Sequence, residues 1–239
     1  MSRVTELEKA LTTLFRKGTE VGYTETEIDE FLENIDYHAL LQAVWNKAET
    51  VYAYRDYARF CFETYGDLVD QWITFNEPIV PVEFGYFYDA HYPHKVDAAA
   101  AVKVAYHTQL ASSLAVKACH EVDPSYRIGV VLNLTPAYPR SQHPADVKAA
   151  RIAELFQAKS FLDPSVLGTY PPELVEILRE RDLLPEVDPS DLELIKEHTV
   201  DFLGVNYYQP MRVSAPRYAP NPDSPMLVEQ FYEIGRAHV

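Results

Sequence analysis

Three short apolar runs, separated by long amphipathic segments, constrain most strongly how this chain can fold. The runs LVDQWITF (68–75), RIGVVLNL (127–134) and VDFLGVNYY (200–208) have the length of strands. The second is apolar on both faces, as a central strand of a parallel sheet should be. Because the segments around these runs carry apolar residues at helical spacing, we predict repeated βαβ units in an α/β fold.

The predicted helices carry boundary signals at several of their ends. Asp97 is a good N-cap, Gly66 is a good C-cap, and Pro189 suits the first turn of the last helix. We predict an aromatic-rich loop between the first strand and the helix that begins at Asp97. The predicted helical ranges are 49–66, 97–122, 143–159, 171–184 and 189–199.

The bulk composition favours a large core and argues against several classes of partner. Of the 239 residues, 47% are hydrophobic, and the formal charge of −15 would repel a nucleic-acid backbone. The sequence shows neither a signal-peptide pattern nor a membrane-spanning run, and two cysteines do not make a disulfide framework. We expect a cytoplasmic protein that binds neither nucleic acid nor membrane, while its oligomeric state stays open.

Polar residues follow each of the three predicted strands. Ligand sites of parallel α/β folds lie at the carboxyl ends of the strands, so these residues are the candidates for a site. They are Asn76 and Glu77 after the first strand, Asn133 and Thr135 after the second, and Asn206, Tyr207 and Tyr208 after the third. Amides, phenols and a carboxylate could bind a polyol, but on this chemistry alone a catalytic and a structural role for Glu77 are equally open.

The motifs WITFNEP (72–78) and DFLGVNYYQP (201–210) resemble motifs of glycoside hydrolase family 1, the retaining β-glycosidases. WITFNEP (72–78) resembles the general-acid/base signature of that family, and DFLGVNYYQP (201–210) is similar to its sixth-strand motif. The segments PVEFGYFYDAHYPHKVD and LNLTPAYPRSQHPADVKAA resemble the 6-phospho-β-glucosidase and 6-phospho-β-galactosidase branch. The resemblance covers about residues 48–230. It implies an α/β fold that is an incomplete (β/α)₈ TIM barrel, with strands equivalent to the fourth to the sixth.

The resemblance also implies a role for individual residues. Glu77 would be the general acid/base, and Asn76 would bind the sugar 2-hydroxyl. Asn206 would support the acid/base from nearby, and Tyr208 would hold the nucleophilic carboxylate. For Tyr207 we expect the ordinary role of a buried aromatic residue.

The nucleophile of the retaining mechanism has no counterpart in this sequence. A retaining glycosidase needs two carboxylates, and the family's nucleophile lies in a Glu-Asn-Gly motif that does not occur in these 239 residues. We therefore expect a fragment that is inactive alone. We divide it into a short helical segment (1–46) unlike the family, a partial barrel (47–232) and an artefactual tail (233–239).

Other functions stay open at this stage. The substrate could be a phosphorylated disaccharide or an unphosphorylated β-glucoside, and the chain could instead be a non-catalytic scaffold. A nucleotide-binding protein is disfavoured because no glycine-rich phosphate loop is present. His91 and His94 lack further ligands at zinc-site spacing, so we expect no metal and no cofactor.

Overall fold

A computed structural model describes residues 48–88, 90–217 and 227–235 of the chain. All of them belong to one compact unit, residues 42–239. The predicted N-terminal segment (1–46) and the last four residues lie outside the described residues. The helices are α1 (Ala48–Tyr65), α2 (Ile79–Tyr86), α3 (Ala98–Val122), α4 (Pro144–Glu154), α5 (Ser160–Leu167), α6 (Pro172–Arg179) and α7 (Pro189–Glu197). The strands are β1 (Gln71–Asn76), β2 (Arg127–Leu132), β3 (Ala137–Pro139), β4 (Phe202–Val205), β5 (Met211–Ser214) and β6 (Glu233–Gly235).

The three predicted strands form one parallel sheet in the order β1-β2-β4, with β2 in the centre. Ile128, Val130 and Leu132 of β2 are almost completely buried, which explains the apolar character of this strand. The strands are shorter than predicted, and Leu68 stays 83% exposed ahead of β1. The prediction of a parallel α/β fold is therefore confirmed, although the strand boundaries differ.

The two long helices pack against this sheet through the faces that their spacing predicts. In α1, Val51, Ala58 and Phe62 are buried and lie on one side of the helix. Asp97 caps α3, since its side chain accepts a hydrogen bond of 2.9 Å from the Ala100 backbone N–H. Both helices end within a residue of the predicted limits.

Two helices occur where the sequence did not predict them. The expected loop after β1 contains α2, whose apolar residues are nearly continuous, so that it has no amphipathic period. Helix α5 contains Pro164 and follows α4 through a one-turn π-helical segment, Leu155–Lys159. The range 143–159, predicted as a single long helix, thus contains two elements: α4 and the π-helical segment.

A second small sheet, in the order β3-β5-β6, was also missed. Its strands are only three or four residues long, too short for an alternating pattern to be recognised. β6 pairs antiparallel with β5, and Val213 lies opposite Ile234. Residues 233–235, beyond the predicted limit at residue 232, thus pair with a strand that lies before it.

Candidate active site

The end of β1 contains one residue more than the strand beside it. Ile73 lies opposite Gly129, and Asn76 lies opposite Val131, so three steps along β1 match two steps along β2. Gly129 and Val131 point to the same face of the sheet, since side chains alternate along a strand. Ile73 and Asn76 therefore share that face as well, which requires a β-bulge between them.

Glu77 follows the bulge in an unusual backbone conformation. Its φ is +51°, in the left-handed region that residues other than glycine rarely adopt. The conformation is held on both sides: the Glu77 N–H donates to the Val131 carbonyl (2.8 Å), and the Glu77 carbonyl accepts from the Val80 N–H (3.0 Å). The chain thus passes from the last hydrogen bond between β1 and β2 directly into α2.

The end of β4 brings two donors to this carboxylate. The Asn206 backbone N–H donates to the Leu132 carbonyl at 2.9 Å, which fixes the residue just past β4. The Asn206 side-chain nitrogen then donates to Asn76 Oδ1 (3.0 Å) and to Glu77 Oε1 (2.8 Å). The Tyr208 hydroxyl donates to the same Oε1 at 2.5 Å. Residues from two strand ends, about 130 positions apart in the sequence, meet at one carboxyl group.

The contact between Tyr208 and Glu77 also affects the acidity of the phenol. The hydrogen bond to the Glu77 carboxylate raises the pKa of Tyr208, because a neutral phenol is needed as the donor. The tyrosine is therefore protonated at neutral pH. Both described donors approach Oε1, so Oε2 accepts a hydrogen bond from neither of them.

The structure brings together four of the residues singled out in the sequence: Asn76, Glu77, Asn206 and Tyr208. The prediction that Tyr207 is a buried aromatic residue is wrong, since its side chain is 60% exposed. It lies past the end of β4, where the described residues offer it no covering layer. Tyr208 was expected to hold a nucleophile, whereas in the structure its hydroxyl lies on the acid/base candidate.

The residues that follow β2 have a different environment. Asn133 Oδ1 is buried without a hydrogen-bond partner among the described residues, and the hydrogen bonds described for Glu77 include neither Asn133 nor Thr135. Asn133 follows the central strand, between the ends of β1 and β4. It therefore offers an unsatisfied acceptor at the same edge of the sheet as the carboxylate.

Two cavities of the described region lie away from the Glu77 carboxyl group. One of about 80 Å³ borders Asn76 and is lined by Phe75, Pro78 and Tyr86, among others. The larger one, about 680 Å³, lies among α3, α5, α6 and α7 and is mostly apolar. Neither has a lining suited to a whole sugar, so the polar group at the strand ends is the better candidate.

The described residues offer no group of three or more histidine, cysteine, aspartate or glutamate side chains that could hold a metal ion. Within the same ranges, none of the helices combines the length and apolar character needed to cross a bilayer.

Comparison with known proteins decides the family. The model of "Glycosyl hydrolase family 1" matches residues 38–231, which is most of the chain. The chain belongs to glycosyl hydrolase family 1. Over 189 residues it is 54% identical to the 6-phospho-beta-glucosidase GmuD of Bacillus subtilis. The aligned region covers 79% of this chain and 41% of that protein.

Solved structures agree with this assignment. The chain is similar to a family 1 β-glucosidase from Thermotoga maritima (TM-score 0.70, 31% identity, 82% of this chain and 41% of the other covered). It is also similar to the virulence factor SghA of Agrobacterium tumefaciens in complex with its substrate analog salicin (TM-score 0.72, 32% identity, 81% and 40% covered). The chain thus spans about two fifths of the length of the relatives that it matches.

Proposed function

We propose that this family 1 chain carries the acid/base part of a retaining β-glycosidase that hydrolyses 6-phospho-β-glucosides or 6-phospho-β-galactosides. The observation that carries the proposal is the strand-end carboxylate Glu77, which accepts hydrogen bonds from Asn206 and Tyr208. In this proposal β1, β2 and β4 are the fourth, fifth and sixth strands of a (β/α)₈ barrel. The arrangement agrees with the rule that barrel active sites lie at the carboxyl ends of the strands.

Glu77 would act first as an acid and then as a base. Its Oε2 would carry the proton that is transferred to the departing glycosidic oxygen, because Oε1 already accepts two hydrogen bonds. In the second step the same carboxylate would remove a proton from the water that attacks the glycosyl-enzyme intermediate. Asn206 and Tyr208 would hold the group in position during both steps.

Asn76 would bind the sugar ring beside the bond that breaks. Because Asn206 donates to Asn76 Oδ1, the amide group of Asn76 is oriented with its nitrogen pointing away from Asn206. That nitrogen would donate to the sugar 2-hydroxyl, a contact that strengthens as positive charge develops at the anomeric carbon.

The mechanism also needs a nucleophilic carboxylate about 5–5.5 Å from the acid/base. The printed sequence contains no Glu-Asn-Gly motif, so we expect the 239-residue chain alone to lack hydrolase activity. Tyr208 would contact both carboxylates, because a phenol that donates a hydrogen bond to one carboxylate of such a close pair lies near the other.

The proposed substrate class rests on relatedness. The relative with 54% identity is named a 6-phospho-beta-glucosidase, whereas the solved neighbours at 31–32% identity include a β-glucosidase and a protein complexed with salicin. Phosphorylated disaccharides arise inside the cell when uptake is coupled to phosphorylation. We therefore place the enzyme in the cytoplasm.

The proposal is tested with the chain alone and with a chimera. In the chimera, the matched region of this chain replaces the corresponding segment of 6-phospho-beta-glucosidase GmuD. We expect the chain alone to release no nitrophenol from p-nitrophenyl 6-phospho-β-glucoside, and the chimera to be active. Glu77→Ala in the chimera should lower turnover of a phosphorylated disaccharide about 10²–10⁴-fold. Azide should restore turnover of the aryl substrate and yield a β-glycosyl azide, since it replaces the water that needs a base.

The matched control is Glu63→Ala, which removes an exposed carboxylate on α1, 57% exposed, and should leave turnover unchanged. If Glu77→Ala retains full activity on the disaccharide, the acid/base assignment is wrong. If the chain alone hydrolyses the aryl phosphoglucoside and loses this activity in Glu77→Gln, the expected inactivity is wrong. A chimera that prefers p-nitrophenyl β-glucoside would instead favour the unphosphorylated substrate class.

A further inference from the structure

Buried hydroxyl groups surround the bulge in β1 just before the candidate site. The Ser112 hydroxyl on α3 donates to Thr74 Oγ1 (2.8 Å), and the Thr74 hydroxyl donates to the Gly129 carbonyl (3.2 Å). The Tyr54 hydroxyl on α1 donates to the Thr74 backbone carbonyl. Thr74 and Ser112 are 8% and 3% exposed, so these bonds lie away from bulk water.

The position of these bonds coincides with the irregular part of the strand. Thr74 and Phe75 are the residues between Ile73 and Asn76, where β1 contains its extra residue. The Phe75 ring stacks on the Tyr54 ring, with centroids 4.7 Å apart, so that Tyr54 contacts both bulge residues. A regular strand would place Asn76 on the opposite face from Ile73, toward the helices, and out of reach of Asn206.

We propose that Thr74 and Tyr54 are positioning residues: with Ser112, their hydroxyl groups hold the bulge that presents Asn76 and Glu77 to Asn206 and Tyr208. The proposal extends the proposed function, because the residue so positioned is the candidate acid/base. Neither Thr74 nor Tyr54 would touch the substrate. Their effect would pass through the backbone of β1.

The chemistry of the hydroxyl groups fits this role. Burial raises the pKa of Tyr54, so its phenol remains a donor at every pH at which the protein would work. Thr74 uses its hydroxyl both as acceptor and as donor, which valine of the same shape cannot do. Loss of either group would leave a buried carbonyl or hydroxyl without this partner, and the bulge would lose its preference over a regular strand.

The test uses the full chain and reads the hydrogen bonds to Glu77 directly by NMR at neutral pH. Three reporters are followed: the side-chain amide protons of Asn206, the ¹³Cζ of Tyr208 and the exchange rate of the Glu77 amide proton. Glu77→Ala defines the shifts of Asn206 and Tyr208 without their acceptor. In Thr74→Val and in Tyr54→Phe these shifts should move toward the Glu77→Ala values. The Glu77 amide should exchange about tenfold faster as its bond to Val131 weakens.

Three further variants separate positioning from general destabilisation. Thr74→Ser keeps the hydroxyl and should retain the parent shifts. Tyr52→Phe makes the same substitution at a half-exposed tyrosine of α1 and should change none of the reporters. Leu174→Ala removes a buried side chain of α6, a residue with no described hydrogen bond to the bulge, and should lower stability without moving the reporters.

The outcome is decisive in either direction. The proposal would be overturned if both Thr74→Val and Tyr54→Phe kept the parent's chemical shifts. It would also be overturned if Leu174→Ala changed these chemical shifts as much as Thr74→Val and Tyr54→Phe do. Tyr54→Phe keeps the buried ring, so it decides the matter if Thr74→Val does not fold. Because no substrate is needed, a negative hydrolase assay and a negative NMR result have different meanings.

Discussion

Gly168 ends helix α5 in a left-handed conformation, where an added side chain would meet the backbone of α7. Its φ is +70°, and a Cβ added there would lie 2.7 Å from the Lys196 Cα and 2.8 Å from the Lys196 carbonyl oxygen. Both contacts are with the backbone of α7, so no side-chain rotation can relieve them. Gly168→Ala would therefore have to move one helix relative to the other.

The expected cost follows from three contributions. The left-handed conformation costs alanine about 1–2 kcal/mol. Overpacking against fixed backbone costs about 1–3 kcal/mol more. The smaller conformational freedom of unfolded alanine recovers about 0.4–1 kcal/mol. We expect Gly168→Ala to lower the free energy of unfolding by about 3 kcal/mol, a large part of the about 5–15 kcal/mol typical of a domain.

Urea denaturation followed by circular dichroism measures this change. Gly235→Ala is the matched control, because a Cβ there meets its nearest described atom, the Arg212 carbonyl oxygen, at an ordinary 3.5 Å. It should change the free energy of unfolding by less than about 0.5 kcal/mol. A loss below about 1 kcal/mol for Gly168→Ala, or one no larger than that of the control, would refute the close approach of α5 and α7.

The same contact matters for the candidate site. The Ser165 carbonyl of α5 accepts a hydrogen bond of 3.0 Å from the Val200 N–H, just before β4 begins. A shift of α5 against α7 would therefore be passed to the strand that carries Asn206 and Tyr208. In Gly168→Ala we expect the side-chain amide signals of Asn206 to broaden or shift, although the substitution lies outside the site.

Three further predictions concern stability. Asp97→Ala removes the N-cap of α3 and should cost about 1 kcal/mol in urea denaturation. Tyr106→Phe removes the 2.6 Å hydrogen bond to Asp191 that joins α3 to α7, and should cost about 1–2 kcal/mol by the same measurement. Burial raises the pKa of Glu83, against a smaller opposite effect of the Gln157 hydrogen bond. A raised pKa favours the neutral form in the folded state, so stability from this group is present at low pH and is lost as pH rises. Glu83→Gln should thus be more stable than the parent at about pH 7 and lose that advantage near pH 4.

The sequence predicted the parts of the fold that depend on local periodicity. Helix α3 and strand β2 were found because a capped amphipathic segment and a strand that is apolar on both faces have characteristic patterns. Helix α2 was missed because it is apolar nearly all round. The sheet β3-β5-β6 was missed because its strands are too short to show alternation.

The geometry of the candidate site depended on contacts that local patterns do not carry. The position of Asn206 and Tyr208 past a strand end suggested that they lie near Glu77, but not that both donate to the same oxygen. The β-bulge left no signature in WITFNEP, because it is defined by register against β2. Tyr207 was misjudged since the burial of an aromatic residue past a strand depends on what covers it.

The backbone at Glu77 bears on whether this residue only closes a strand. For that purpose glycine or asparagine would fit φ of +51° better, and glutamate there costs on the order of 1 kcal/mol. The hydrogen bond from Tyr208 offsets little of this cost, since Tyr208 is 66% exposed and exposed bonds contribute weakly, whereas the bond from Asn206 is part-buried. A strand-closing role would not by itself favour a carboxylate at this position, which supports the proposed acid/base role. A carboxyl group that is held through one oxygen, with the other directed away from its donors, is what proton transfer requires.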